Sequence, residues 1–260
     1  MADLGDLFSL EGRVAIVTGA AGLYGRPISD ALAAAGATVV LAARGVDAIE
    51  AFAAELGSKG YSALGHQLDQ ADAHSVDLLC DDVLARFGRI DVLVNNAVHR
   101  SGSDFLGTRG EDFEATHRVN GTGLFRITQR CAGAMAEAGS GSIINVSSIY
   151  GAVGPDFTIY AETGMTNAPS YAYDKGGMIA FSRYLATCLG PQGIRSNCLV
   201  PGGLETEQDE RFIAAYCRRT PLRRMAEVDD VKGPVLFLAS DASRYVTGVT
   251  LPVDGGWTAQ

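Results

Sequence analysis

Arg13-Val14-Ala15-Ile16-Val17-Thr18-Gly19-Ala20-Ala21-Gly22-Leu23-Tyr24-Gly25 is the stretch whose reading decides the fold. Its first part is short, apolar and largely β-branched, which predicts a strand over Arg13–Val17. A glycine-rich turn follows and opens into an alanine-rich helix over Leu23–Ala35. Glycines in such a turn let backbone amides approach a pyrophosphate, and the helix N-terminus adds its partial positive charge. The same alternation continues down the chain. Further strands are predicted over Thr38–Ala42, Ser62–His66, Asp91–Asn95, Ser142–Val146, Arg195–Leu199 and Thr250–Val253, and helices over Asp47–Ser58, Ala71–Phe87, Glu111–Glu137, Tyr171–Leu189 and Val228–Ala239. Strand-helix alternation implies parallel pairing with right-handed crossovers and strands buried on both faces. The expected architecture is α/β: a doubly wound parallel sheet of about seven strands with helices on both faces. No internal repeat or linker divides the chain, so one domain over residues 1–260 is expected.

With 47% hydrophobic and 20% charged residues, the chain has enough apolar material for a sizeable core. A formal charge of −9 excludes the broad basic face that nucleic acid or an anionic membrane requires. Arg218, Arg219, Arg223 and Arg224 form a local basic cluster, read as a solvated segment. The five cysteines are odd in number and form no Cys-x-x-Cys pair, which reads as reduced thiols and indicates no metal site. The opening Met-Ala-Asp-Leu-Gly-Asp-Leu-Phe has neither a basic nor a long apolar signal region, and no run approaches the ~18 apolar residues of a membrane span. A cytoplasmic location is expected.

Tyr171 and Lys175 stand four apart in Tyr-Ala-Tyr-Asp-Lys, on a predicted helix. That spacing puts both side chains on one face about one turn apart, so an ammonium can lie beside a phenol oxygen. A free tyrosine titrates near pH ~10, and bringing it to neutrality takes roughly 4 kcal/mol of preferential stabilisation of the phenolate. Tyr173, two places along, points away from Tyr171.

Taken together, the glycine turn, Asn95-Asn96-Ala97, Asn120, Val146-Ser147-Ser148, Tyr171-x-x-x-Lys175, Pro201-Gly202 and Val253-Asp254-Gly255-Gly256 resemble the short-chain dehydrogenase/reductase family over nearly the whole chain. The resemblance implies a Rossmann-type fold and hydride exchange between a nicotinamide cofactor and an alcohol or carbonyl. The family's turn runs Thr-Gly-x-x-x-Gly-x-Gly; here Leu23 holds the middle glycine's place, with Gly22 one position earlier. Val98 stands where Asn-Asn-Ala-Gly has its last glycine, and is expected to narrow the cofactor floor.

By resemblance, Tyr171 exchanges the substrate proton, Lys175 lowers the tyrosine pKa and binds the nicotinamide ribose, Ser148 holds the reacting oxygen, and Asn120 orients Lys175 through a water chain. Ser147 is expected to point to the other face of its strand end. Implied cofactor contacts are Gly19, Gly22, Leu23, Tyr24, Gly25, Arg44, Asp69, Asn96, Ala97, Lys175, Pro201 and Gly202. Ala43 occupies the position of an NAD-type ribose carboxylate, and Arg44 beside it suits a 2′-phosphate, so NADP is favoured and NAD remains possible. The resemblance also implies a homotetramer, built on four-helix contacts between the helices at 111–137 and 171–189, where Gly176 and Gly177 permit close approach.

The interval from Ser148 to Tyr171 is about ten residues longer than is usual in the family, and loops carry specificity on such scaffolds. The added segment, within Gly154–Pro169, holds Asp156, Tyr160, Glu162, Thr163, Thr166 and Asn167. So many hydrogen-bonding groups suit a polyhydroxylated ligand; the alternative is a surface excursion packed on its own Phe157 and Tyr160. His99 and Arg100, just after the fourth strand, are placed to meet a sugar hydroxyl or an anionic substituent, and Gly203 opens a mobile lid running to Gln208. The preferred expectation is a sugar dehydrogenase whose substrate contacts are His99, Arg100, Tyr160, Glu162 and Gly203. A 3-oxoacyl-thioester reductase, with Arg126 and Arg130 meeting an acidic carrier protein, is the runner-up. A non-catalytic cofactor-binding sensor is the remote third.

Overall fold

A computed structural model describes residues 3–161 and 163–260. Seven parallel strands form one sheet in the order β3-β2-β1-β4-β5-β6-β7. They are β1 (Val14–Thr18), β2 (Thr38–Ala43), β3 (Ala63–Gln67), β4 (Val92–Asn95), β5 (Gly141–Val146), β6 (Ile194–Pro201) and β7 (Thr250–Val253). The sequence-derived fold is the observed one.

Strand periodicity divides the apolar side chains between two cores. Ala15, Val17, Val39 and Leu41 face one side, against α2 (Gly25–Ala34), α3 (Val46–Ser58) and α10 (Lys232–Ala239). Val14, Ile16, Val40 and Ala42 face the other, against α4 (Ala73–Phe87), α6 (Leu124–Ala138) and α8 (Pro169–Leu189). A third cluster lies past the carboxyl ends of β5 and β6, where Tyr150, Ile159, Phe212, Tyr216 and Trp257 pack together.

Several elements depart from the sequence reading. α1 (Leu4–Phe8) and α9 (Glu210–Arg219) were not foreseen; α9 buries only Phe212 and Tyr216, too short an apolar stripe to stand out among its charges. The helix expected over Glu111–Glu137 is interrupted: α5 (Gly110–His117) passes through a π-helical turn at Arg118–Gly123 before α6 begins. Close packing accompanies the wider turn, since a Cβ on Gly123 would stand 2.0 Å from the Gln70 carbonyl oxygen. Such turns occur disproportionately at functional sites, and this one carries Asn120.

Arg219 and Arg224 also correct the solvated reading of the basic cluster. Arg219 lies over the Trp257 ring and 3.6 Å from Asp156, and Arg224 pairs with Asp230.

At the opposite end of the sheet, Asp91 ties the start of β1 to that of β4. Its buried carboxylate accepts from the Val14 amide at 2.8 Å and from Arg89 Nε at 2.8 Å. Asp91→Ala removes the partner of a buried amide, so it is expected to lower unfolding stability by about 1–3 kcal/mol. Urea denaturation measures this, and a midpoint equal to wild type would contradict the assignment.

Candidate active site

Between β1 and β4 the sheet reverses its order of winding, and a cleft of about 680 Å³ opens there, beyond the carboxyl ends of the strands. One wall is the glycine turn. Gly19 has φ +64, and a Cβ there would stand 2.8 Å from Ala97 Cα; a Cβ on Gly25 would meet the Gly19 carbonyl oxygen at 2.1 Å. The turn therefore packs directly on β4 and on the start of α2. Asn96 Nδ2 donates to the carbonyls of Thr18 and Gly19, while Thr18 Oγ1 accepts from the amides of Asn96 and Ala97, stitching the two strand ends together.

No side chain caps the N-terminus of α2; the Arg26 amide bonds the Gly22 carbonyl and Pro27 carries no N–H, so what the helix offers an anion is its partial positive charge behind the glycine turn. A pyrophosphate fits this cradle. Leu23 replaces a glycine without blocking it, because its side chain is 64% exposed at the mouth. Tyr24 Oη donates to the Gly202 carbonyl at 2.8 Å, joining the glycine turn to the turn after β6; burial pushes its phenol pKa upward, so it stays a neutral donor. Ala43, Arg44 and Asp69 line the cleft beyond β2 and β3, with Asp69 Oδ1 held by the Ala71 amide. Val98, 42% exposed, lies on the floor with Asn96 and Ala97, and Pro201, Gly202 and Gly203 close the far side.

Ser148, Tyr171 and Lys175 meet in the middle of the cleft. Ser148 follows β5 and caps α7 (Ile149–Ala152) by accepting the Tyr150 amide, and it stands beside Tyr171, whose phenolate it favours. Tyr171 and Lys175 occupy successive turns of α8, with the Lys175 ammonium 5.9 Å from the Tyr171 ring centre. Burial pushes the Tyr171 phenol up, but Lys175, Arg100 and the hydrogen bonds from Ser148 and Arg100 outweigh it and hold its pKa below the ordinary tyrosine value. Burial pulls the Lys175 pKa down, opposed by the Tyr171 and Asp174 charges, and Lys175 Nζ donates to the Val146 carbonyl at 2.6 Å. The arrangement favours the phenolate form of Tyr171 beside a dinucleotide groove.

Asn120 is buried, and its carboxamide clamps the backbone of His99: Oδ1 accepts from the His99 amide and Nδ2 donates to the His99 carbonyl. Nδ2 also donates to Asp174 at 3.1 Å, and Asp174 is further bonded to His117 Nδ1 at 2.8 Å. Sequence reading passed over Asp174; its donors lie 54 and 57 residues away, so no local spacing announced them. Ser147 was expected merely to point elsewhere. It donates to the Lys175 carbonyl at 2.6 Å and fixes α8 to β5. Tyr173 is 63% exposed and packs on Phe113, away from the site.

The loop between α7 and α8 is a second wall rather than a free excursion. Asp156 caps a 3₁₀ turn over Phe157–Tyr160, and Thr163 Oγ1 donates to the Tyr160 carbonyl, so these two serve the loop itself. Tyr160 donates to Tyr150 Oη at 2.8 Å and, with Met165, Thr166 and Asn167, lines the cleft. Glu162 lies outside the described residues. Arg100, from the segment after β4, lays its guanidinium 4.3 Å from the centre of the Tyr171 ring.

Comparison with known proteins agrees with this geometry. A family model described as enoyl-(acyl carrier protein) reductase matches residues 19–258. The chain belongs to the short-chain dehydrogenase/reductase family. It is an NAD(P)-dependent oxidoreductase of that family. Among its relatives, the 3-oxoacyl-(acyl-carrier-protein) reductase of Thermotoga maritima is 34% identical over 251 residues, covering 95% of this chain and 98% of the relative. The D-threitol dehydrogenase of Mycolicibacterium smegmatis is also 34% identical, covering 96% and 95%. A crystal structure of a gluconate 5-dehydrogenase from Burkholderia cenocepacia J2315, in complex with NADP and tartrate, superimposes with a TM-score of 0.90 at 33% identity, covering 99% of this chain and 100% of that one. No helix among the described residues is long and apolar enough to cross a membrane, and none of their His, Cys, Asp and Glu side chains group to hold a metal.

Proposed function

We propose that the enzyme is a sugar dehydrogenase, oxidising a secondary or anomeric hydroxyl of a sugar or anionic sugar derivative, with NADP the favoured dinucleotide and NAD a possible substitute. The observation that carries this reading is the polar wall built by the long α7–α8 loop: Tyr160, Thr166 and Asn167, with Tyr150 beside them, face the same cleft as Tyr171. Arg44, next to Ala43 at the end of β2, supports NADP through bidentate pairing with a 2′-phosphate. A neighbouring structure that holds NADP supports it too.

In this mechanism the Tyr171 phenolate accepts the hydroxyl proton, and Ser148 donates a hydrogen bond that holds the reacting oxygen beside it. Lys175 lowers the phenol pKa and, with its remaining donors, reaches ribose hydroxyls. Asn120 sets the path of the His99–Arg100 segment and steadies Asp174 beside Lys175. When bound, the dinucleotide accepts the hydride released from the carbinol carbon. We place this machinery in one domain over residues 1–260, acting in the cytoplasm as a homotetramer.

A 3-oxoacyl-thioester reductase is the second reading, favoured by relatives of that name. Against it, Arg126 and Arg130 are engaged with Asp77 and Asp81 of α4. Rates on aldoses, aldonates, alditols and acetoacetyl thioesters with NADP and with NAD decide between them. Turnover of a sugar or sugar derivative above all others is expected, and turnover of thioesters alone would refute the sugar assignment.

A further inference from the structure

Two cations bear on Tyr171, and they differ in how freely they can act. Lys175 is 4% exposed and committed to the Val146 carbonyl, which makes it a fixed charge. Arg100 is exposed, sits on irregular backbone after β4, and pairs with no carboxylate among the described residues. Its guanidinium covers the Tyr171 ring, 4.3 Å from the ring centre, and its charge lowers the phenol pKa.

The surroundings of Arg100 are otherwise neutral. Tyr150, Tyr160, Thr166, Asn167 and Gln208 line the same chamber. Burial pushes the Tyr150 and Tyr160 phenols up, so neither supplies a negative charge. Asp69 is the only acidic side chain among the described residues lining the cleft, and it stands beyond β3, at the other end of the sheet order from β5. A chamber that presents a guanidinium with no carboxylate partner, among neutral donors and beside the Tyr171 phenol, is matched to an anion, and a planar carboxylate suits the fork.

We infer that Arg100 selects the substrate by binding its acidic group, sharing the guanidinium between the Tyr171 phenol and a substrate carboxylate, so that the enzyme acts on sugar acids rather than neutral polyols. This rests on the sugar-dehydrogenase reading and names its substrate class. Because Arg100 touches the phenol, the acidic group must lie close along the carbon chain to the reacting hydroxyl. Seating the carboxylate also spends part of the cation that had stabilised the phenolate, leaving Tyr171 more basic toward the proton it removes. Lys175, Tyr24 and Tyr160 are the other titratable groups facing Tyr171, and none of them changes partner in this step.

The test pairs each aldonate with its matching alditol, D-gluconate with D-glucitol first, using wild-type enzyme, Arg100→Gln and Arg100→Lys, all saturated with NADP. Initial rates are read alongside calorimetric titration of the same compounds, which reports preference even where turnover is slow. Wild type is expected to favour the aldonate, and Arg100→Gln to lose about 10- to 100-fold more for the aldonate than for the alditol, the weight of a charge-assisted hydrogen-bonded pair, because the alditol shares only the weaker support of the phenolate. Arg100→Lys is expected to recover part of that loss. An aldonate preference unchanged in Arg100→Gln overturns the role of Arg100 and leaves the sugar reading standing. Wild-type preference for alditols overturns the acid selection, and activity on thioesters alone removes both readings together.

Discussion

Tyr171→Phe is expected to lower kcat by about 10²- to 10⁴-fold, the usual weight of a positioned acid-base group, while the dinucleotide still binds with nearly unchanged affinity. The substitution removes one oxygen and little volume. Ser147 would still tie α8 to β5 and Lys175 would still donate to Val146, so the groove survives while the proton acceptor is lost. Cofactor fluorescence titration separates binding from turnover. Near-normal kcat in this variant would show that another group moves the proton.

Lys175→Met is expected to reduce kcat/KM for oxidation on the order of 10²-fold or more, because it removes a buried cation worth several kcal/mol to the phenolate and a ribose anchor together. The pH dependence identifies the cause. Oxidation needs Tyr171 deprotonated, so its rate rises as pH climbs through the Tyr171 pKa, which the wild-type site holds below the ordinary tyrosine value. Reduction needs the phenol protonated, and its rate falls over the same interval. Without Lys175 the limb in each direction shifts to higher pH, and cofactor affinity drops. An unshifted limb in Lys175→Met would mean that Arg100 and Ser148 suffice to hold the phenolate.

Much of this was legible in the chain itself. Short, largely β-branched apolar runs announced the strands, and glycine at 19 and 25 announced a turn that the structure shows can bear no Cβ at either place. Tyr171 and Lys175 could be paired because a helix converts a spacing of four into a shared face. Contacts across distant segments could not be read this way. The link from His117 to Asp174 to Asn120 joins α5, α8 and the π-helical turn, and it depends on where three elements cross rather than on any residue pattern. Arg100 was identifiable as lying near the site, but its position over the phenol ring needed the path of the backbone after β4. The π-helical turn was hidden for a related reason: it falls inside one expected helix, and the packing of Gly123 on Gln70 that accompanies it depends on a distant segment.

The third apolar cluster separates two kinds of change this scaffold can absorb. Ile159, Phe212, Tyr216 and Trp257 support the wall facing the reacting group, and they do so outside the two layers that hold the helices to the sheet. The cluster meets the sheet only at the end of β6, through Cys198 and Val200, and it packs on the Tyr171 ring. Selectivity can therefore drift by reshaping one small patch while the two layers that hold the helices to the sheet keep their packing.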